Sequence, residues 1–470
     1  MIYFLGQIMW IIAVVMLAPA FVAPFLNEFW VMPSFILTSL SCFFLGFLIK
    51  RKSKPEEEMT LGETMVLTAI VWIVFSFFAS IPFITTLRMS PVDAYFESMS
   101  GLTATGLTMI KDVENIERTL LLWRSLTQWV GGLGVMVLFL TAALGFGRAH
   151  RKMYLAEAHP VLIMPNIRET ARALWKIYTI LTVLGVILFY FASWPNSSLF
   201  EAVNHAMTAI ATGGFSVKNN SFAAYGLSVK LVILIVMIWG ATNFTVHDRV
   251  FRKRLDIREF FGNIEARSML IIIAVSTLLL AKAVGWTDSL FQTTSALTGT
   301  GFSTANIREW GEGAKVLLII LMMIGGSYGS TSSAIKLMRI ILLGKTLQWM
   351  LKKSFLPDRA VVPVKLAGYT YTEKEIMEIL IYIFIYILVM FIGAGVLMYL
   401  GNPPLDSIFE SASAQGNVGL SVGITSASMH IAGKISLTIQ MLVGRLEILP
   451  VFALFSYMIS LARQKRKSPF

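Results

Sequence analysis

Uncharged apolar runs recur along this chain between short polar segments, 65–81 and 231–240 among them. A helix needs about 20 largely apolar residues to cross a bilayer. The pattern predicts ten crossings, near 3–24, 31–49, 62–86, 119–146, 170–193, 228–247, 266–285, 313–344, 374–400 and 432–462. The eighth is too long for one straight helix and contains glycines, so a break is expected in it. Four further stretches, 91–108, 197–216, 287–304 and 404–421, are apolar, rich in Ser, Thr and Gly, and too short to cross. Segments of that length are re-entrant, interfacial or packed core.

Composition sharpens the class. The 470 residues are 56% hydrophobic and 14% charged, whereas soluble domains carry about 25% charged residues. The formal charge of +12 would suit nucleic acid if it lined one face. Instead it gathers between pairs of spans, at 50–54, 148–152, 249–254, 345–365 and 463–467. Basic loops stay on the cytoplasmic side, so the expected arrangement is a multi-pass protein of the cell (inner) membrane with both termini inside. The first apolar run lacks a basic start and an A-x-A site, so a retained helix is expected, not a cleaved signal. One cysteine, Cys42, excludes an intramolecular disulfide and a multi-cysteine metal site; it is expected to pack in a helix. An intramembrane enzyme would need a nucleophile with a base, or a metal set. His247 and Asp248 have no serine or cysteine partner in the pattern, and the five histidines lack metal spacing, so no enzyme is predicted. His205 falls in the second short stretch, where it can bond its loop or simply pack.

The four short stretches align on one glycine each: Gly106, Gly213, Gly301 and Gly419. Nine residues upstream stand Glu97, Asn204, Gln292 and Glu410; thirteen upstream stand Asp93, Phe200, Asp288 and Asp406. The aspartates read as helix N-caps, with Pro91 and Pro404 beside two of them. About ten helical residues span about 15 Å, half of the roughly 30 Å hydrocarbon core. Each short helix would therefore end near the midplane with its negative dipole end pointing inward, which favours a cation. Non-helical backbone at that depth must be buried or line water. Rings of backbone carbonyls replace the hydration shell of potassium, and the absence of loop carboxylates argues against calcium or magnesium. For any single loop, close helix packing by small residues is an adequate account; four loops in one register favour a shared function.

At these residues the chain resembles the Trk/Ktr/HKT superfamily of potassium transport proteins. Further marks are 124–134 (RSLTQWVGGLG), 325–336 (GGSYGSTSSAIK) and 444–447 (GRLE). Two extra helices before the first repeat resemble the Trk branch. The resemblance implies an all-α membrane protein of about ten transmembrane helices and four re-entrant pore helices, in four pseudo-symmetric M1–P–M2 repeats. The units would be 1–55 for the two extra helices, then 56–160, 161–260, 261–365 with an intramembrane gating segment, and 366–470. It implies potassium uptake through a filter made by Ala104, Thr105, Gly106, Ala211, Thr212, Gly213, Gly299, Thr300, Gly301, Asn417, Val418 and Gly419. The implied gate comprises Gly325, Gly326, Gly329, Ser330, Thr331, Lys336 and Arg445. It also implies membrane lipid contact, a homodimer and a cytoplasmic nucleotide-binding regulatory ring (TrkA/KtrA-like), with the nucleotide on that partner and no nucleic acid. One departure is Ser332-Ser333-Ala334 where many relatives carry glycines; a stiffer segment is expected, its hydroxyls bonded to freed backbone groups.

Arg445 lies in a mostly apolar run, where a charge costs about 2.5–3.5 kcal/mol. It is expected to pair with Glu447, to act as a positive barrier below the filter, or both. Lys336 is expected to snorkel from the end of its span. The potassium-binding subunit of a primary pump shares the four-loop plan and is the alternative; 325–336 and Arg445 favour the Trk branch.

Overall fold

The computed structural model describes residues 1–53, 59–134, 167–196, 198–253, 255–357 and 363–467. Helices α1 (Ile2–Val22) and α2 (Met32–Lys52) form a hairpin that packs on the first repeat. Between them Glu28 turns back, and its carboxylate accepts the N–H groups of Arg118 and Thr119, both at 2.8 Å. Two donors at the start of a helix are thereby satisfied. Cys42 is buried inside α2.

Four units follow, each a long helix, a short helix and a second helix. They are α3 (Leu61–Leu87), α4 (Pro91–Leu102) and α5 (Arg118–Leu133); α6 (Ile167–Ser193), α7 (Leu199–Ile210) and α8 (Leu227–Ala241), continued by α9 (Phe244–Arg252) and α10 (Arg258–Gly262). The third is α11 (Ile264–Val284), α12 (Trp286–Thr298), α13 (Glu312–Ile324) and α14 (Leu337–Lys353). A short antiparallel hairpin, β1 (Val364–Leu366) and β2 (Tyr369–Tyr371), precedes α15 (Glu373–Tyr399), α16 (Pro404–Gln415), α17 (Ile431–Arg445) and α18 (Leu449–Lys467). The long helices α3 and α15 open with the same reciprocal cap, Thr60 with Glu63 and Thr372 with Glu375, the T-x-x-E signature of a helix start.

Each second helix packs on the short helix of the next unit: α5 on α7, α8 on α12, α13 on α16, and α17 back on α4. That cyclic order closes a ring. Exposed Phe, Leu and Ile side chains, such as Phe44, Leu279 and Phe384, lie outside it. Six helices among the described residues are long and apolar enough to cross a membrane, or eight if each bent pair counts as one span.

The second helices correct the expected spans. Those drawn as continuous over 228–247 and 432–462 are bent, by 104° between α8 and α9 and by 114° between α17 and α18. The break expected in 313–344 occurs at 325–336, between α13 and α14. Helix α5 stops at Leu133, and the remainder of 119–146, with the basic cluster at 148–152, lies outside the described residues. The four second helices run 16, 15, 13 and 15 residues, about 20–24 Å. All four are shorter than the roughly 30 Å hydrocarbon core. Hydropathy misses the second and fourth of these ends, because apolar residues continue past Ala241 and Arg445.

Candidate functional site

The short helices point their C-terminal ends at the centre of the ring. Serine caps two of them: Ser90 Oγ accepts from the Asp93 N–H and Ser198 Oγ from the Glu201 N–H. The acids are thus third-position residues of the first turn, not the N-caps expected. They still face the positive end of the helix dipole. They also tie neighbouring elements together. Asp93 pairs with Lys434 at 2.5 Å, Asp406 with Lys315 at 2.9 Å, and Glu201 with Lys218 at 3.3 Å; Asp288 accepts from Thr304 at 2.7 Å.

After each short helix the backbone makes the same turn. Ala104, Thr212, Gly299 and Asn417 take positive φ of 53°, 50°, 75° and 52°. Their successors Thr105, Gly213, Thr300 and Val418 each donate an N–H to the carbonyl five residues back. Next come Gly106, Gly214, Gly301 and Gly419, with φ of 94°, 77°, 80° and 94°. The equivalent of Gly106 in the second loop is therefore Gly214, and the register drawn through Gly213 is one residue short.

The same shift repairs the upstream pattern. The polar residue nine places before Gly214 is His205, not Asn204, and the residue thirteen before it is Glu201, not Phe200. Each polar residue then does one job, meeting a hydroxyl eleven residues on. Glu97 accepts from Thr108 at 2.9 Å and Glu410 from Ser421 at 2.7 Å; Gln292 donates to Ser303 at 3.3 Å. His205 Nε2 lies 2.9 Å from Ser216 Oγ. Thr-Gly-Gly offers two glycines to align on; the acid at 201 was the signal that chooses between them.

The four loops interlock. A Cβ on Gly106 would stand 2.2 Å from the Gly213 carbonyl oxygen, on Gly214 2.1 Å from that of Thr300, on Gly301 1.8 Å from that of Val418, and on Gly419 2.2 Å from that of Thr105. Glycine is required at these positions both by φ and by the neighbouring loop. The result is a closed ring of four carbonyls. Asn417 Nδ2 adds a bond across the fourth and first loops, to Thr105 Oγ1 at 2.8 Å. The four glycines also line a cavity of about 240 Å³ together with Thr108, Ser216, Ser303 and Ser421. Arg124 borders it, its charge met by Glu97 at 2.8 Å and its guanidinium lying 4.0 Å from the Phe215 ring. A carbonyl ring at the negative ends of four helices is chemically suited to a dehydrated monovalent cation. Among the described residues no three His, Cys, Asp or Glu side chains are grouped to hold a metal.

Segment 325–336 lies against the loops on the helix side. Chain direction reverses there: the N–H groups of Ile335 and Lys336 return to the carbonyls of Met323 and Ile324. Thr331 Oγ1 donates to the carbonyls of Ile210 and Gly240 at 2.9 and 2.8 Å, and the Thr212 hydroxyl reaches it at 3.3 Å. Ser332 Oγ accepts from the Gly326 N–H at 2.9 Å, and Ser330 Oγ donates to the Ser327 carbonyl at 2.6 Å. The Ser332 contact is a hydroxyl-to-backbone bond of the kind expected of the Ser332-Ser333-Ala334 departure, whereas the Ser333 hydroxyl meets the Arg445 side chain at 3.3 Å. The Gly329 carbonyl accepts from Phe244 N–H at the α8–α9 break, and Glu265 accepts from Tyr328 N–H at 2.8 Å. Gly325, at φ 74°, is where α13 ends.

Two charged residues depart from expectation. Arg445 does not pair with Glu447, whose carboxylate instead meets Arg339 at 2.5 Å. The Arg445 guanidinium donates to the carbonyls of Thr331, Gly131 and Gly132, at 2.7, 2.6 and 2.5 Å. Its planar fork can bridge three carbonyls on two segments at once. Lys336 does not snorkel outward; it is buried, and its ammonium donates to the Ser332 carbonyl. His247, considered for enzyme chemistry, has Nε2 2.9 Å from the Trp239 carbonyl, a helix-terminating contact.

Four re-entrant helices that present interlocked backbone carbonyls at the centre of a ring of membrane-length helices define a cation-conducting membrane protein. A family model described as "Cation transport protein" (TrkH) matches residues 32–285 and 279–465. The chain is 35% identical to an uncharacterized cation transporter of Methanocaldococcus jannaschii, covering 97% of this chain and 94% of that one. It is 30% identical to the Trk system potassium uptake protein TrkH of Vibrio parahaemolyticus, over 96% and 97%. It is 29% identical to TrkG of Escherichia coli, over 96% of both chains. The crystal structure of the potassium transporter TrkH from Vibrio parahaemolyticus superposes with a TM-score of 0.84, at 28% identity over 96% of this chain and 97% of that one. The chain belongs to the TrkH family of cation transport proteins and is an integral membrane protein. Its relatives are named as transporters, not as enzymes.

Proposed function

We propose that this chain is the pore subunit of a potassium uptake system. The observation that carries the reading is the ring of carbonyls of Thr105, Gly213, Thr300 and Val418, each packed against the glycine of an adjoining loop. Potassium is selected there by backbone oxygens, with Ala104, Ala211, Thr212, Gly299 and Asn417 completing the filter and Gly106, Gly214, Gly301 and Gly419 setting its turns. The relatives named for potassium uptake support the choice of ion.

Segment 325–336 is the gate, with Gly325, Gly326 and Gly329 as its bends, Ser330 and Thr331 as its contacts and Lys336 as its anchor. Arg445 holds it closed and adds a positive barrier beside the path. The basic ends at 249–267 and 345–373 face the cytoplasm and receive a regulatory ring that binds the nucleotide; a homodimer is the working unit in the inner membrane. Two relatives named as members of a Trk system support the idea of such a partner.

Ion flux in reconstituted liposomes tests the reading. Expected is potassium uptake that exceeds sodium uptake and changes when the co-encoded cytoplasmic protein and its nucleotide are added. Equal potassium and sodium flux refutes the pore assignment; flux indifferent to every such protein refutes the regulatory ring.

A further inference from the structure

Three of the four loops carry a β-branched residue at the ring position: Thr105, Thr300 and Val418. β-Branching restricts χ1 and suits extended backbone. The second loop has Gly213 there, the most permissive residue available. Its own φ lies outside the left-handed region, so backbone conformation does not demand glycine. Gln128 does. A Cβ on Gly213 would stand 2.5 Å from both Cδ and Oε1 of that side chain.

Gln128 is fully buried and grips the loop on both sides of Gly214. Its Nε2 donates to the Gly213 carbonyl at 2.5 Å, and its Oε1 accepts from the Phe215 N–H at 3.0 Å. The two bonds together assign the amide orientation, since only the oxygen can accept from an N–H. In the other repeats the loop is braced from its own short helix, where Ser100 Oγ and Ser413 Oγ accept from the N–H groups of Gly106 and Gly419 at 3.1 and 3.0 Å and Ser295 Oγ donates to the Phe302 carbonyl at 2.7 Å; among the described residues their second helices supply no amide to it. Counted from the starts of the second helices at Arg118, Leu227, Glu312 and Ile431, the eleventh position is Gln128, Met237, Met322 and Met441. Three residues on, Gly131, Gly240 and Gly444 make the same close approach, to the carbonyls of Leu102, Ile210 and Gln415, which confirms the register.

We propose that Gln128 is a selectivity-determining positioning residue. Its carboxamide supplies the second loop with the rigidity that a β-branched side chain supplies to the other three, and so sets the direction of one ring carbonyl. The inference rests on the potassium-pore reading. Without those two bonds the Gly213 peptide can turn, and the ring adapts to a smaller ion. A buried amide with a packing role alone would alter assembly and leave the ion preference unchanged.

The test is the potassium-to-sodium permeability ratio of full-length protein in liposomes, normalised to assembled protein. A wild type without potassium preference defeats the pore reading itself, whatever Gln128 does. Given that preference, Gln128→Met, which installs the residue of the other three repeats, lowers the ratio about tenfold, the scale of one lost buried hydrogen bond. Gln128→Ala lowers it similarly. Adding Gly213→Thr to Gln128→Ala gives the second loop the residue of the first and third in the vacated space, and the ratio recovers. If Gln128→Met fails to assemble, the alanine variant and its double decide. An unchanged ratio in assembled Gln128→Ala, or a lowered ratio that Gly213→Thr does not raise, overturns the proposal.

Discussion

The four loops and the four helix breaks behind them stand at two successive levels of the same repeated unit, and they obey opposite rules. At the loops the repeats converge. The turn residues take positive φ in all four, and each glycine meets a carbonyl of an adjoining loop. At the breaks the repeats diverge. The place after the closely packed glycine is Gly132 in the first, Ala241 in the second, Gly326 in the third and Arg445 in the fourth. The third break is drawn out into the segment 325–336, which the fourth unit's arginine holds through Thr331. Uniform geometry suits a site where one ion meets four similar oxygens. Inequivalent parts suit a device with two positions, because only one element need move.

The sharpest way to break the uniform level is Gly301→Ala. Its Cβ would enter the Val418 carbonyl at 1.8 Å, and its φ of 80° penalises any side chain. Overpacking and backbone strain each cost about 1–3 kcal/mol, so potassium uptake should fall more than about 30-fold. Gly285→Ala isolates the strain, since its φ is 87° with open space around it; its effect on flux should be far smaller. Similar flux in the two variants would mean that the interlocked ring is not the conducting element. Gly106→Ser, less crowded at 2.2 Å, should reduce potassium preference over sodium while leaving measurable flux.

At the divergent level the expectation has the opposite sign. Arg445→Ala removes a positive charge and the strap on Thr331, Gly131 and Gly132. Flux per assembled protein should rise about tenfold with the ion preference intact. Deleting 326–332 should raise it likewise. A fall, or no change, in both would make this segment a static kink. The smallest effect probes whether the repeats are truly alike. Ser90→Ala and Ser198→Ala each remove a helix cap worth about 1 kcal/mol, and thermal unfolding should register nearly equal losses.

Much of the architecture is legible in the sequence. The apolar runs located the long helices, and their broken-off counterparts marked the four short ones. The paired polar residues at Glu97, Gln292 and Glu410 were visible as a pattern, and so was the break in the third repeat. These features are local: they depend on hydropathy, on caps such as Thr60 with Glu63, and on Gly and Pro punctuation, all of which act over a few residues.

Only the tertiary structure decided the rest. Thr212-Gly213-Gly214 can turn at either glycine; the Thr300 carbonyl against Gly214 and the Gln128 amide against Gly213 select one, and both come from other parts of the chain. The bends after Ala241 and Arg445 interrupt apolar sequence that would otherwise continue as helix, and at the first of them donors remote in sequence satisfy the freed carbonyls: Ser327 N–H donates to the Ala241 carbonyl and Thr331 N–H to that of Gly240. Arg445 reaches three carbonyls instead of the carboxylate two residues away because Arg339, from another helix, already occupies Glu447. In each case two local solutions were open, and a contact more than eighty residues distant in the chain closed one of them.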